Sequence, residues 1–596
     1  MARNTYEVDE NIEALFDIEK LKRLGKYVAP YKKTVVFILF LMASSSILTM
    51  YIPIIFKKAI DESIPNSDMR EVVILSGYIL AISLYVSIIL KIRSQVMAKM
   101  GQNIIYEIRK DIFEHIQRLP FSYFDDRPHG KIQVRVVNYV NNLSDLLSTG
   151  LVNVLTEIGS LFFIACFMFY LNVRFTLICM IGLPILSFLV WYVKTRQRKA
   201  WQEASNKQSN LNAYISESIN GIRITQSFVR EEENRDIFNR LSNNYRNSWM
   251  KAVRYNFLLG PAIENISAIT TATIYVLSVY WVMGGSEVIT AGVVIAFISY
   301  IGRFWAPINT IAGFYNSILT ALSYLERIFE TIDEPVDVKD REDAVIMPEI
   351  KGEVKFDNVC FSYEEGKSIL NGISFKANVG ESFAIVGPTG AGKTTIVNLL
   401  SRFYNINSGH IYIDDIDIES VTIKSLRTQM GVMMQESFIF SGTIMDNIRY
   451  GNQEATDEEV IRAAKVVCAH DFIMAMEDGY NTIVRERGNG LSAGQKQLIS
   501  FARALLANPK ILILDEATSS IDTETEISLQ QGLKGLLKNR TSFIIAHRLS
   551  TIKNSTCILY VDNGQIVEKG SHDELIEKKG AYYKLYMSQY EFLKEK

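Results

Sequence analysis

Six long apolar runs constrain this chain more than anything else in it. The first, residues 34–56, has serines but no charge inside it, and similar runs lie near 72–92, 152–171, 175–193, 258–283 and 288–310. A peptide group in hydrocarbon has no water to bond, so a crossing segment must satisfy its backbone internally. About 20 helical residues, rising ~1.5 Å each, cover a hydrocarbon layer of ~30 Å. Each run is long enough for one crossing. Pro53, Pro184, Pro261 and Pro307 fall in or beside the runs. Their kinks are tolerable where a neighbouring helix or side chain bonds the freed carbonyl.

Charge orients the spans. Residues 91–135 carry nine Lys/Arg and residues 194–254 carry twelve, whereas 57–71 has only Lys57, Lys58 and Arg70 against four acids. By the positive-inside rule both termini and the two long basic loops face the cytoplasm. Both loops are poor in Gly and Pro. They read as helical hairpins continuous with the spans, broken at Phe121–Gly130 and near Asn220-Gly221, each with a short transverse helix at its tip. Ahead of the first span, residues 1–33 pass from acidic to basic. They hold no signal-peptide pattern, and Ile18 to Tyr31 reads either as an interfacial helix or as a solvated elbow.

Beyond Glu334-Pro335 the pattern changes. Residues 335–352 are charged, with two prolines, and read as a linker; from residue 353 short β-branched runs alternate with helical ones, as in an α/β domain. The expected division is therefore 1–33, an N-terminal cytoplasmic segment; 34–334, a helical transmembrane bundle with two hairpins; 335–352, a linker; and 353–596, an α/β domain. Hydrophobic residues at 48% and charged residues at 21% fit a membrane half joined to a soluble half. A net charge of −2 lacks the basic footprint of a nucleic-acid partner. Five cysteines without C-x-x-C spacing read as free thiols rather than a metal site or disulfide framework.

The α/β half contains Gly387-Pro388-Thr389-Gly390-Ala391-Gly392-Lys393-Thr394-Thr395. It follows the apolar run Ser382–Val386 and precedes a helical pattern from Ile396. This is the strand–loop–helix setting of a phosphate-binding loop. The glycines let backbone N–H groups approach phosphate oxygens. Lys393 adds a charge for the terminal phosphates, and Thr394 a hydroxyl for Mg²⁺. Downstream, the run Ile511–Leu514 ends in Asp515-Glu516. Asp515 is placed to hold Mg²⁺ and Glu516 to polarise an attacking water. Leu491-Ser492-Ala493-Gly494-Gln495 stands at the start of a helix, where an anion site or an ordinary N-cap both fit. His547 follows the strand run Ser542–Ala546, and Gln435 ends another. Both would lie at the carboxyl edge of a parallel sheet, where ligands bind. Gln435 is a further candidate Mg²⁺ ligand. Tyr363, upstream of the loop, suits stacking on adenine or an ordinary sheet surface.

Together, Tyr363, GPTGAGKTT, Gln435, LSAGQ, ILILDEATSSID and His547 resemble the nucleotide-binding domain of ATP-binding cassette (ABC) transporters. With six spans fused ahead of that domain, the chain from about residue 20 resembles a half-transporter of the type IV exporter family. The resemblance implies ATP and Mg²⁺ as cofactors, Glu516, His547 and Gln435 as catalytic residues, and head-to-tail pairing with a second half-transporter. In such a pair LSAGQ completes the partner's ATP site in trans, and Ser520 and Asp522 form the D-loop. It also implies that the tips near Asp125–Gly130 and Gly221–Phe228 act as coupling helices docking on Met434–Phe440 and Val484–Gly488. One position departs from the family's LSGGQ: Ala493. On that residue the pairing is expected to be with an unlike partner bearing a degenerate catalytic acid, ahead of a homodimer.

The resulting expectation is ATP-driven export of hydrophobic or amphipathic small molecules, of multidrug type, across a bacterial plasma membrane by alternating access. Membrane lipid and a small-molecule substrate would be the other partners. A lipid flippase would use the same machine. An ATP-gated channel or regulator is less favoured, because few charges lie in the spans. Nothing in the sequence names substrate-contacting residues.

Overall fold

A computed structural model describes residues 18–594 apart from 126, 128, 146–150, 284–288, 365, 435–436, 516–522 and 546–551. The chain divides into two compact units at Glu334/Pro335, and Arg118–Arg127 belongs with the second.

The first unit is helical. Among the described residues, six of its helices are long and apolar enough to cross a membrane. The spans lie on Lys32–Lys58, Met69–Ile116, Leu151–Leu171, the pair Val173–Met180 and Gly182–Asn220, Glu231–Met283 and Ala291–Ile332. The second, fourth and fifth continue well past hydrocarbon length, as hairpin arms should. The break at Ile181 was not foreseen. Pro184 has no N–H for the Met180 carbonyl, so one helix ends there and the next begins with proline in its first turn. The turn before it is set by Asn172, whose Oδ1 accepts from the N–H groups of Arg174 and Phe175. The second hairpin breaks after Asn220, with Gly221 closing the helix and a six-residue helix, Ile222–Ser227, at the tip. Ile18–Val28 forms a helix tied to its own unit: Arg23 pairs with Asp333 and lies over the Phe329 ring, and Tyr27 donates to Asp111 at 2.8 Å.

Pro53 sits inside the first span, so the Thr49 carbonyl loses its helical donor. Arg303 Nη1 donates to that carbonyl at 2.9 Å, and one turn earlier the buried Tyr300 hydroxyl donates to the Met50 carbonyl at 2.5 Å. The sixth span thus carries the donors that the kink in the first requires. At the far end of the sixth span Asp61 accepts from Thr290 Oγ1 and from the Gly292 N–H at 2.8 Å, fastening its start to the turn after the first.

The second unit is α/β. Its strands are β1 (Val354–Phe361), β2 (Leu370–Ala377), β3 (Ser382–Val386), β4 (Ser408–Ile413), β5 (Ile416–Asp417), β6 (Met430–Met433), β7 (Gly442–Thr443), β8 (Ile483–Val484), β9 (Ile511–Asp515), β10 (Thr541–Ile545), β11 (Cys557–Asp562) and β12 (Gln565–Gly570). One sheet runs β12-β11-β3-β10-β9-β6, parallel except for β12, and an antiparallel sheet runs β2-β1-β4-β5. The central strands are nearly all apolar because both faces are covered. Residues 335–352 do more than link. Met347 and Ile350 are buried in the core, and the N–H groups of Lys351, Gly352 and Glu353 all point to the Asp414 carboxylate.

The Arg303 contact makes a testable demand. Replacing Arg303 by leucine should cost about 1–3 kcal/mol, the usual penalty for an unpaired buried acceptor. In a Pro53→Ala background the restored N–H should shrink that cost. Unfolding of the purified protein in detergent measures both, and equal losses in the two backgrounds would refute the assignment.

Candidate nucleotide site

Parallel register gathers the candidate residues. Ile545 pairs with Ile385 on one side and with Asp515 on the other, and Met433 pairs with Leu514. The strands leading to the phosphate loop, to Asp515-Glu516, to His547 and to Gln435 therefore all end along one sheet edge. Asp515 is described at the end of β9; Glu516, Ser520, Asp522, His547 and Gln435 themselves lie outside the described residues.

The loop between β3 and the helix Lys393–Leu400 owes its path to two glycines. Gly387 has φ +145°, and a Cβ there would stand 2.0 Å from the Val561 carbonyl oxygen. Gly392 is left-handed at φ +103°, with the Leu370 side chain 2.6 Å from where a Cβ would be. Neither position accepts another residue without moving the loop. Lys393 is buried, and its Nζ donates to the Gly387 and Pro388 carbonyls at 2.9 Å each. Burial pulls its ammonium below the usual lysine range, while the Asp515 carboxylate pulls the other way. Thr394 is exposed in the first turn and Thr395 is buried beside it. A hydroxyl and a carboxylate are hard oxygen donors, the set that suits Mg²⁺ shared with phosphates.

Tyr363 is half in and half out of the unit. Its hydroxyl lies 3.2 Å from Thr395 Oγ1, and its ring meets those of Phe361 and Tyr404 edge-on at 4.8 and 5.1 Å. The residue remains 47% exposed. Tyr404 also donates to the Asp125 carboxylate, and Phe403 packs against Phe121 at 4.2 Å between centroids. The tip helix Phe121–Asp125 is therefore seated on the two aromatics that follow the loop helix. These two aromatics were not singled out in the sequence. The pair Phe403-Tyr404 sits where the chain leaves the loop helix, and only the folded unit shows that it forms a flat aromatic seat.

At the signature stretch the N-cap reading is realised. Ser492 caps the helix Ala493–Leu506: Gln495 N donates to Ser492 Oγ at 3.2 Å, and Ser492 N to Gln495 Oε1 at 2.9 Å. The cap uses a lone pair of the hydroxyl oxygen, so its proton stays free to donate to an anion. Ala493 is exposed and Gly494 buried. Sequence reasoning missed two residues nearby. Lys496 Nζ holds the Arg487 carbonyl at 2.8 Å. Arg503 binds the Phe438 and Asn447 carbonyls and lies over the Phe440 and Tyr450 rings. Its position on the inner face of an amphipathic helix was the available signal.

The comparisons with known proteins follow this geometry. Residues 35–308 match the family model of the ABC transporter transmembrane region and residues 370–519 the ABC transporter family model. The chain is 43% identical over 597 residues to an uncharacterized ABC transporter ATP-binding protein, YknV, of Bacillus subtilis, covering 99% of this chain and 98% of the relative. This chain belongs to the ABC transporters. It is also 34% identical to the putative multidrug export ATP-binding/permease protein YgaD of B. subtilis (96% of this chain, 99% of the relative). It is 36% identical to an ATP-dependent lipid A-core flippase of Desulfotalea psychrophila, with the same coverage. Its structure matches a bacterial Atm1-family ABC exporter solved with ATP bound, at TM-score 0.79 and 28% identity over 94% of this chain and 99% of that one. This ABC transporter has the type IV exporter fold, with membrane and ATPase parts in one chain, and is an ATPase coupled to transport that functions as a dimer.

The ring contacts of Tyr363 predict a split. Tyr363→Ala should raise the Kd for ATP about tenfold, in line with ~1–3 kcal/mol for base–aromatic stacking. Tyr363→Phe, which loses only the contact to Thr395, should stay within about twofold. Calorimetric titration tests both, and an unchanged Kd in the alanine variant would leave Tyr363 as sheet surface.

Proposed function

We propose that this ABC transporter exports hydrophobic or amphipathic compounds across a bacterial plasma membrane, with both termini cytoplasmic. The carrying observation is the shared sheet edge of β3, β10, β9 and β6 in a chain that also supplies six membrane-length helices. Lys393 and the loop N–H groups bind the ATP phosphates, and Tyr363 stacks on the base. Glu516 polarises the attacking water, and His547 and Gln435 sense the terminal phosphate. Mg²⁺, when bound, neutralises phosphate charge and would be held by Thr394 and Asp515 with Gln435. The stretch Leu491–Gln495 of one half, with Ser520 and Asp522, closes on the other half's ATP. That closure drives the hairpins and turns the cavity outward; hydrolysis resets it.

Ala493 was the one residue pointing to an unlike partner. In this chain it is exposed at a helix start, a position open to an unlike partner and to a second copy alike. Native mass of the chain produced alone decides: a stable, active dimer means like pairs with like, and a monomer means an unlike half. The named flippase relative supports a second substrate reading, a lipid or lipid-linked compound; fluorescent-lipid translocation set against dye efflux separates the two.

Glu516→Gln should retain ATP binding and lose about a hundredfold or more in turnover, the scale of general-base removal. Normal hydrolysis in that variant would remove Glu516 from the role.

A further inference from the structure

The helix that follows the phosphate loop, Lys393–Leu400, ends in a Schellman turn built without glycine. Phe403 N donates to the Asn398 carbonyl and Arg402 N to the Leu399 carbonyl, each at 2.9 Å. Arg402 takes the left-handed position, with φ +52°. An L side chain seldom rests there, and here two bonds hold it: the buried guanidinium donates to the Val421 carbonyl at 2.6 Å and to the Lys339 carbonyl at 3.1 Å. Phe403 is backed in turn by the Arg427 guanidinium, 4.9 Å from its ring centre. The aromatic pair therefore leaves the loop helix on a fixed path.

Tyr404 is buried and touches two places with different tasks. Its ring meets Tyr363 edge-on at 5.1 Å and Phe361 at 5.7 Å, and its hydroxyl donates to the Asp125 carboxylate. All of these lie in one unit, because Arg118–Arg127 belongs with the ATPase half; the chain on both sides of that stretch belongs to the helical half. Phe121 against Phe403 seats the tip helix by area, a contact without a preferred direction. The hydroxyl–carboxylate bond is charge-assisted and directional, so it sets where Asp125 sits. Edge-to-face rings also have a preferred geometry. A base stacked on Tyr363 fixes that ring, and a fixed Tyr363 favours the Tyr404 placement in which the hydroxyl reaches Asp125. Linkage then runs both ways: a seated tip favours the nucleotide as much as the nucleotide favours the seated tip.

We propose that Tyr404 is a positioning residue that couples the base end of the nucleotide site to the first hairpin tip, through Tyr363 on one side and Asp125 on the other. This rests on Tyr363 stacking on the base. The test uses the full chain in detergent with Mg²⁺ and two probes, non-hydrolysable adenylyl imidodiphosphate and tripolyphosphate, which has the phosphates but no base. Asp125→Ala and Tyr404→Phe should each raise the Kd of the adenine probe about fivefold, the low end of ordinary coupling between sites. Both should leave tripolyphosphate within about twofold, which also shows that each variant is folded. The double variant should lose no more than either single one, because both break the same bond. In a Tyr363→Ala background Asp125→Ala should change nothing further. The reciprocal effect is read by hydrogen exchange at residues 121–125: the adenine probe should slow it in the unaltered chain, and tripolyphosphate should not. Losses that add in the double variant, equal weakening of both probes, or equal slowing of exchange by tripolyphosphate overturns the proposal. If Tyr363→Ala alone leaves the adenine probe's Kd unchanged, the stacking reading fails and takes the coupling with it. If that Kd rises while Asp125→Ala has no effect, only the coupling fails.

Discussion

Every peptide group inside hydrocarbon must find its hydrogen bond within the protein, and the first unit is built around that demand. Six helices meet it by themselves along most of their length. Where one cannot, a neighbour supplies the donor. Pro53 removes an N–H, and Arg303 with Tyr300 brings donors to the adjacent carbonyls from a helix some 250 residues away in sequence. At Pro184 the solution is different: the helix stops and restarts. A kink that is filled from outside ties two spans together, whereas a break leaves each piece to its own packing.

The second unit depends on an equally simple geometric rule. Parallel strands in register deliver their next residues to one edge. Because β3, β10, β9 and β6 are neighbours, segments separated by more than a hundred residues converge on the phosphate loop. Gly387 and Gly392 then fix the loop by exclusion, since a carbonyl and a leucine side chain occupy the space a Cβ would need. The lysine is drawn inward against its own loop carbonyls. Its charge is held in a partly dehydrated place, where it acts more strongly on phosphate than it would in water.

Much of this was legible in the residues. The nine-residue loop, the acidic end of β9 and the six apolar runs carry their chemistry in local pattern, so fold class and family followed from them. Other features were not legible, each for a physical reason. Residues 335–352 look like a linker because they are charged and proline-bearing, yet two apolar side chains and a carboxylate cradle at Asp414 bind them into the core. Such long-range contacts leave no periodic signature. The tip helix Phe121–Asp125 was visible as a tip, but its aromatic seat on Phe403 and Tyr404 required two loops to be brought together.

By itself, then, the sequence determined that this chain crosses a membrane, binds a nucleoside triphosphate and belongs with transporters, because apolar length and phosphate-loop spacing are local properties. Only the tertiary structure decided which helix fills the Pro53 kink and where the hairpin tip sits. Those outcomes depend on which side chains meet across large sequence separations, and meeting is a property of packing rather than of order along the chain.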